Sequence, residues 1–175
     1  MVEYRTELPE LLKKLGLPMV AAELGVAEGF NSADLLRGGI EKLYMVDAWA
    51  TLPVKGDGAN GQGWHDKNML AAMERVKPFG DRAIFLRGLT TDMADLVPDN
   101  SLGLLYLDAG HDYNSVMNDL VTWYSKVVKG GVIAGHDFLN PAYGVERAVK
   151  EFAKSEIYTI PENKPEDAGF LFICS

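Results

Sequence analysis

Short runs of apolar residues alternate along the chain with longer segments whose apolar residues recur at helical spacing. The runs predict buried strands over residues 19–24, 42–46, 83–86, 102–107 and 132–134. The periodic segments predict helices over residues 6–15, from residue 31 or 32 to residues 38–39, from about residue 65 to residue 78, and over 113–128 and 144–154. An unbroken apolar run is typical of a strand covered on both faces.

Two further strands are predicted at the end of the chain, over residues 157–160 and 170–174. A polar loop rather than a helix joins them, so they should pair antiparallel. The whole pattern predicts an α/β fold with a Rossmann-like, doubly wound and mostly parallel seven-stranded sheet. We expect helices on both faces and a C-terminal antiparallel hairpin strand.

A length of 175 residues fits a single domain over residues 1–175. The N-terminal helix, within residues 1–17, is expected to serve packing only. Residues 50–63 lose all periodicity and contain four glycines beside Pro53. A loop of this length inside a compact domain is typical of either a lid or a flexible insertion.

The charge and the apolar runs argue against nucleic-acid and membrane partners. The formal net charge is −8, and no stretch concentrates Lys and Arg enough to offset it against a phosphate backbone. No apolar run approaches the roughly 20 residues that cross a bilayer, and the N-terminus lacks the layout of a secretory signal. Since Cys174 is the only cysteine, no internal disulfide can form, and a cytoplasmic location is expected.

Polar and charged residues collect just after the strands. The carboxyl ends carry Glu23 and Gly25, Asp47, Arg87 and Gly88, Asp108 and His111, and His136 and Asp137. The opposite ends carry Pro18, Lys42, Arg82, Ser101 and residues 129–131. Open parallel sheets bind their ligands outside the carboxyl ends of the strands, at the switch point of the strand order. The asymmetry therefore predicts one site at this edge.

The turn after the first strand gives the first indication of the ligand. Gly25 and Gly29 let the backbone turn sharply and approach a bound group, although they could also merely shape a strand–helix turn. The acidic Glu23 precedes Gly25 by two residues, so a cationic or hydroxyl-bearing ligand is favoured over an anionic one. Asn31 or Ser32 can cap the helix that follows.

Asp47 lies 24 residues beyond Glu23, close to the spacing at which an acid receives ribose hydroxyls in dinucleotide folds. A carboxylate has two oxygens to accept hydrogen bonds from a vicinal diol, and the alternative role is a helix or turn cap. Trp49, two residues further, could place its ring against a purine or belong to the core.

Four segments resemble those of class I S-adenosylmethionine-dependent methyltransferases. They cover residues 23–29 (ELGVAEG), 46–49 (VDAW), 107–113 (LDAGHDY) and 130–137 (GGVIAGHD). More narrowly, they are similar to the small-molecule O-methyltransferase branch that includes macrolide-sugar enzymes. The resemblance runs from about residue 20 to about residue 155, and the reversed last strand fits it.

The resemblance implies a cofactor site for S-adenosyl-L-methionine. The implied cofactor-binding residues are Glu23, Gly25, Val26, Gly29, Asp47, Ala48, Trp49, Gly88, Leu89 and Asp108. Glu23 and the glycine turn would hold the methionine portion, and Asp47 would take the ribose hydroxyls. Residues 48–49 and 88–89 would border the adenine. The cofactor carries a sulfonium and an ammonium but no phosphate, which suits an acidic turn.

The resemblance also implies the catalytic groups, namely Asp108, His111 and His136. Asp108 and Asp137 correspond to strand-end acids that hold Mg²⁺ in metal-dependent members, where the ion orients the substrate hydroxyl and lowers its pKa. His111 matches a general base that takes the hydroxyl proton, or it shapes its loop through a polar contact. His136 stands where several relatives have a second acid, so either a catalytic or a structural role is open to it.

Two residues near the site have simpler interpretations. Asp112 is expected to cap the helix that begins near Tyr113. His65 could reach a substrate, but the start of a helix is the favoured role.

The leading hypothesis is a methyltransferase that acts on a hydroxyl of a small-molecule acceptor, with possible assistance from Mg²⁺. An NAD(P)-dependent oxidoreductase also fits the strand–helix–strand unit, but residues 23–29 lack the G-x-G-x-x-G spacing. A non-catalytic S-adenosylmethionine-binding module is the third alternative. Since only about twenty residues precede the first strand, a homodimer could supply cover for the site.

Overall fold

The computed structural model describes residues 2–52, 60–161 and 167–175. Its helices are α1 (Leu8–Leu15), α2 (Phe30–Arg37), α3 (Gln62–Val76), α4 (Thr90–Met93), α5 (Tyr113–Trp123) and α6 (Val145–Phe152). Its strands are β1 (Val20–Leu24), β2 (Lys42–Asp47), β3 (Ala83–Arg87), β4 (Leu102–Leu107), β5 (Val127–Gly135), β6 (Tyr158–Ile160) and β7 (Gly169–Ile173). Short 3₁₀ turns cover Arg5–Glu7, Lys77–Arg82, Ala94–Leu96 and Tyr124–Lys126.

The strands form one seven-stranded sheet in the order β3-β2-β1-β4-β5-β7-β6. The first five strands pair parallel, while β7 runs antiparallel to both β5 and β6. The chain builds outward from β1 to β3 and then returns to place β4 on the other side of β1. The predicted fold class is confirmed, and the switch point lies between β1 and β4.

An apolar layer covers each face of the sheet. On one face the core contains Leu107 and Leu105 of β4 together with Trp123 of α5 and Val149 of α6. On the other face Tyr106 and its alternate neighbours pack with residues of α1, α2 and α3. Because alternate strand residues point to opposite faces, coverage of both faces explains the unbroken apolar runs of the sequence.

The first helix is close to its prediction. It begins with Pro9 in its first turn, and Gly16 ends it in the left-handed conformation, with φ 66°.

Within the described residues, no helix is both long and apolar enough to cross a membrane.

Two helix boundaries differ from the sequence prediction. The N-cap of α2 is Gly29, with φ 74°, so the prediction that Asn31 or Ser32 caps this helix was wrong. Glycine adopts this left-handed conformation readily, and the helix therefore begins earlier. Helix α3 already begins at Gln62, within the predicted loop. Residues 53–59 of that loop lie outside the described residues, so its role as a lid stays a prediction.

The other differences lie between β3 and β5. Helix α4 was not predicted, because four residues are too few to show a period. Helix α5 ends at Trp123, and β5 begins at Val127 rather than at residue 132. Residues 129–131 were placed before the strand, whereas Gly130 lies inside it with φ 79°. The β4–β5 register shifts between Leu102 and Leu104, as in a β-bulge.

Candidate active site

A cavity of about 940 Å³ opens at the carboxyl edge of the sheet. It is lined by ten of the residues predicted from sequence: Glu23, Gly25, Val26, Asp47, Ala48, Trp49, Gly88, Leu89, Asp108 and His111. Their shared cavity is the arrangement that the edge asymmetry predicted. Gly29, His136 and Asp137 are not among the described lining residues, although His136 lines a small adjoining pocket with Asp108 and His111.

The glycine turn is held at the junction of β1 and β4. Gly25 has φ 85°, and its backbone amide donates to the carbonyl of Val46 at 2.8 Å. The amide of Asp108 donates to the carbonyl of Leu24 at 2.7 Å. A Cβ added at Gly25 would lie 2.0 Å from the backbone oxygen of Asp108. Only glycine allows the two strand ends to approach this closely.

Asp47 clamps this turn to the end of β2. Its Oδ2 accepts hydrogen bonds from the amides of Val26 and Ala27, each at 2.9 Å, and its Oδ1 accepts one from the amide of Trp49 at 2.7 Å. The turn-cap role is therefore present in the structure. A carboxylate has about four acceptor positions, so ribose hydroxyls can bind as well, and that role stays a prediction.

Trp49 belongs to the core beneath the cavity. Its side chain is buried, its ring lies 5.7 Å from that of Phe85, and its Nε1 donates to the carbonyl of Ala27 at 3.0 Å. Its backbone is left-handed, with φ 40°. Of the two roles left open by the sequence, this environment favours packing, although Ala48 and Trp49 also line the cavity.

Glu23 is buried at the floor of the cavity. Its Oε1 accepts a hydrogen bond from Nδ2 of Asn31 at 3.0 Å, and its Oε2 accepts one from Oγ of Ser32. Burial raises the pKa of Glu23 to about 8, because desolvation outweighs these two hydrogen bonds, and the nearby charge of Asp108 raises it further. The negative charge that the sequence analysis assigned to Glu23 is therefore corrected: the group is mostly neutral at pH 7.

Asp108, His111 and Asp137 form a cluster at the ends of β4 and β5. Nε2 of His111 lies 2.9 Å from Oδ2 of Asp137 and 3.6 Å from Oδ1 of Asp108. One potential ligand atom from each residue lies within 4.8 Å of the others. The ring of Tyr143 stacks on His111 with 4.6 Å between centroids. The structure thus brings the predicted metal-binding acids and the predicted base together.

This donor set fits a divalent cation. Two carboxylates suit a hard cation such as Mg²⁺, while the imidazole extends the fit to transition metals such as Mn²⁺ or Zn²⁺. A metal bound to Nε2 of His111 would leave the proton of the neutral imidazole on Nδ1, so the ring would have no free nitrogen to accept a proton. The predicted roles of His111 as base and of the cluster as a metal site therefore exclude each other if all three residues bind.

His136 adjoins this cluster through Asp137. Nδ1 of His136 is 3.2 Å from Oδ2 of Asp137. Asp137 has φ 56°, a left-handed conformation that non-glycine residues seldom adopt. Because His136 contacts this carboxylate and does not line the main cavity, its environment favours the structural role left open above.

Asp112 is the N-cap of α5, as predicted. Its side chain accepts hydrogen bonds from the amides of Asn114 at 3.0 Å and Ser115 at 3.2 Å, and the Ser115 hydroxyl holds the pKa of this carboxyl below its usual range. His65 is not at the start of a helix, since α3 begins three residues earlier, and it lines the cavity.

Several cavity residues were missed by the sequence analysis, among them Arg5, Asn31, Asn68 and Asp119. Asp119 is buried, and it accepts a hydrogen bond from Oγ1 of Thr90 at 2.5 Å. Burial raises the pKa of Asp119 to about 6. Its position on the apolar face of α5, beside Val116 and Trp123, indicates a buried polar group from sequence alone. The sequence does not indicate that Thr90 is its hydrogen-bond partner.

A family model described as a methyltransferase domain matches residues 22–138, which span the glycine turn and the Asp108–His111–Asp137 cluster. The chain belongs to this methyltransferase family. A search of curated proteins finds no sequence match. The predicted enzyme class is confirmed, and the predicted oxidoreductase alternative is not favoured.

Solved structures of methyltransferases share the fold. An O-methyltransferase from Bacillus cereus, in complex with S-adenosylhomocysteine, has a TM-score of 0.72 at 15% identity; the match covers 98% of this chain and 80% of that one. For the O-methyltransferase NovP the TM-score is 0.69 at 21% identity, and the match covers 97% of this chain and 77% of NovP. For CalS11, a TDP-rhamnose 3′-O-methyltransferase of calicheamicin biosynthesis, the TM-score is 0.63 at 17% identity, and the match covers 94% of this chain and 76% of CalS11.

Proposed function

We propose that this methyltransferase transfers the methyl group of S-adenosylmethionine to a hydroxyl of a small molecule. The observation that carries the proposal is that the glycine turn, Asp47, Asp108 and His111 line one cavity, with Asp137 in contact with His111. The solved O-methyltransferases of the same fold support the hydroxyl acceptor, and the net charge of −8 supports a small molecule over a nucleic acid.

The cofactor is expected to lie along the edge from β4 to β3. Its sulfonium would lie near the ends of β1 and β4, and its ribose hydroxyls near Asp47. Its adenine would reach the residues after β3, where the amide of Gly88 donates to the carbonyl of Asp47 at 3.0 Å. Glu23 would act indirectly, because its carboxyl group holds Asn31 and Ser32.

His111 is the base that we propose for the acceptor. Because Nε2 faces the Asp137 carboxylate and would donate to it, Nδ1 would accept the hydroxyl proton while the acceptor oxygen attacks the methyl carbon and the carbon–sulfur bond breaks. Asp137, 2.9 Å from Nε2, would stabilise the imidazolium that results. The positive charge of the sulfonium is lost in this step, and the proton carried by His111 leaves to solvent.

Asp108 and Asp137 would hold a divalent cation if the enzyme is metal-dependent. The ion would supply a Lewis acid that lowers the pKa of the acceptor hydroxyl. In that case the metal replaces His111 as the activating group, since the imidazole would be one of the ligands or would be repelled when protonated.

Binding and turnover test the proposal separately. Calorimetry should detect S-adenosylhomocysteine and not NADH, and the reverse preference would refute the cofactor assignment. Release of S-adenosylhomocysteine in the presence of phenols and unphosphorylated sugars then tests the acceptor class. Turnover that persists undiminished after chelation would assign proton removal to His111, whereas its loss and recovery with Mg²⁺ would assign it to the metal.

We also propose that residues 1–175 act as a single methyltransferase domain and that a homodimer covers the site. The shared sheet, with a helical layer on each face, supports the single domain. Light scattering after size-exclusion chromatography measures the mass directly, and a mass near the monomer value of 19.2 kDa would refute the dimer.

A further inference from the structure

Arg5 lies in the 3₁₀ turn that precedes α1, and its side chain is half-buried at the cavity. It hydrogen-bonds with the hydroxyl of Tyr106, which is itself buried in β4. Its charge also acts on the carboxyl group of Glu23. Glu23 and Tyr106 are register partners across β1 and β4. The guanidinium is therefore placed over the switch point of the sheet.

The cavity is otherwise lined by acidic groups. Besides the mostly neutral Glu23, the described lining residues include five carboxyl groups, those of Glu28, Asp47, Asp108, Asp112 and Asp119. Arg5 is the one lysine or arginine among these described residues. Such a surface favours a sulfonium and an ammonium, but it repels a carboxylate everywhere except beside Arg5.

We infer that Arg5 binds the α-carboxylate of the methionine portion of the cofactor, an inference that rests on the proposed function. The methionine portion belongs at the ends of β1 and β4, the same end of the cavity as Arg5. A guanidinium has five N–H donors in a planar fork that matches a carboxylate. It can therefore bind a ligand carboxylate while it keeps its contact with the Tyr106 hydroxyl. The N-terminal turn thus contributes to ligand binding as well as to packing.

A comparison of two ligands isolates this contact. S-adenosylhomocysteine carries the carboxylate, and its decarboxylated analogue, S-adenosyl-3-thiopropylamine, keeps every other group. By calorimetry, Arg5→Met should lower the affinity for S-adenosylhomocysteine about 10- to 100-fold, the range for a hydrogen-bonded charged pair. It should lower the affinity for the analogue less than about 3-fold. The wild-type preference for the carboxylate-bearing ligand should disappear in the variant.

Two further variants separate ligand binding from folding. Arg37→Met is the matched control: Arg37 is exposed, pairs with Asp34 at 2.7 Å on α2, and should leave both affinities unchanged. Tyr106→Phe keeps Arg5 but removes the hydroxyl that positions it, so it should weaken S-adenosylhomocysteine less than Arg5→Met does. Thermal unfolding followed by circular dichroism confirms that each protein is folded at the titration temperature.

Two outcomes would overturn the inference. An equal loss of affinity for both ligands in Arg5→Met would make Arg5 a merely structural residue. Unchanged affinity for S-adenosylhomocysteine would assign the carboxylate to another group, such as the amides at the start of α2. Failure of the proposed function gives a different result, because the wild-type protein would then bind neither ligand.

Discussion

Replacement of Glu23 by Gln tests the protonation state of the cavity floor. Burial raises the pKa of Glu23 to about 8 from its ordinary value of 4.5. Below pH 4.5 Glu23 is protonated in both the folded and the unfolded chain, and its contribution to stability is fully present. As the pH rises toward 8, the unfolded chain releases the proton while the folded chain keeps it, so the stability falls. At ~1.4 kcal/mol per pH unit the loss reaches ~3 kcal/mol at pH 7 and ~5 kcal/mol above pH 8.

Gln mimics the protonated carboxyl group. Its oxygen can accept the hydrogen bond from Asn31, and its amide nitrogen can donate to the hydroxyl of Ser32. Urea unfolding at pH 5, 6, 7 and 8 measures the free energy of unfolding of both proteins. The value for Glu23→Gln minus that of the wild type should increase by ~1.4 kcal/mol for each pH unit.

The matched control for this experiment is Glu74→Gln. Glu74 is exposed and forms a surface ion pair with Lys77 at 3.2 Å, so its difference from the wild type should stay nearly constant with pH. Parallel stability curves for the wild type and Glu23→Gln would refute the reasoning, because they would mean that Glu23 is ionised in the folded protein.

Three other substitutions give distinct expected results. In urea titrations, Gly25→Ala should lower the free energy of unfolding by ~3 kcal/mol, since the added Cβ meets the backbone of Asp108. The control is Gly63→Ala, whose Cβ meets nothing within 4 Å and which should raise the free energy of unfolding by ~0.5–1 kcal/mol. Asp47→Ala removes the acceptor of three backbone amides and should both lower stability by ~2–3 kcal/mol and weaken the binding of S-adenosylhomocysteine in calorimetry. Unchanged affinity would contradict the proposed role of Asp47 in ribose binding. His111→Asn should reduce turnover by about 100-fold or more while it leaves cofactor affinity within about 3-fold, and equal turnover would show that His111 is not the base.

The sheet and its functional edge could be predicted from the sequence because their signals are local. A parallel strand buried on both faces leaves an apolar run, and the residue after it lies at the carboxyl edge by construction. Asp47, Asp108 and Asp137 were therefore placed at that edge without any knowledge of tertiary contacts. The reversed strand β7 could be predicted for the same reason, since no helix precedes it.

The errors arose where a tertiary contact competes with a local preference. Asn31 and Ser32 carry the sequence signal of a helix cap, but the buried carboxyl group of Glu23 takes both side chains as hydrogen-bond donors. The negative charge predicted for Glu23 was wrong because burial raises its pKa. That burial depends on the neighbouring strands, which the sequence does not show. Arg5 was missed because its contact with Tyr106 joins residues about one hundred positions apart in the chain.

The left-handed backbone at Asp137 has a consequence for attempts to engineer this enzyme. Glycine adopts such a conformation without the penalty of roughly 1 kcal/mol that a side chain incurs. Selection for heat resistance alone should therefore enrich Gly at position 137, and the resulting proteins would tolerate higher temperatures but lack the carboxylate beside His111. A useful screen must score catalysis together with thermal tolerance, because at this position the two properties favour different amino acids.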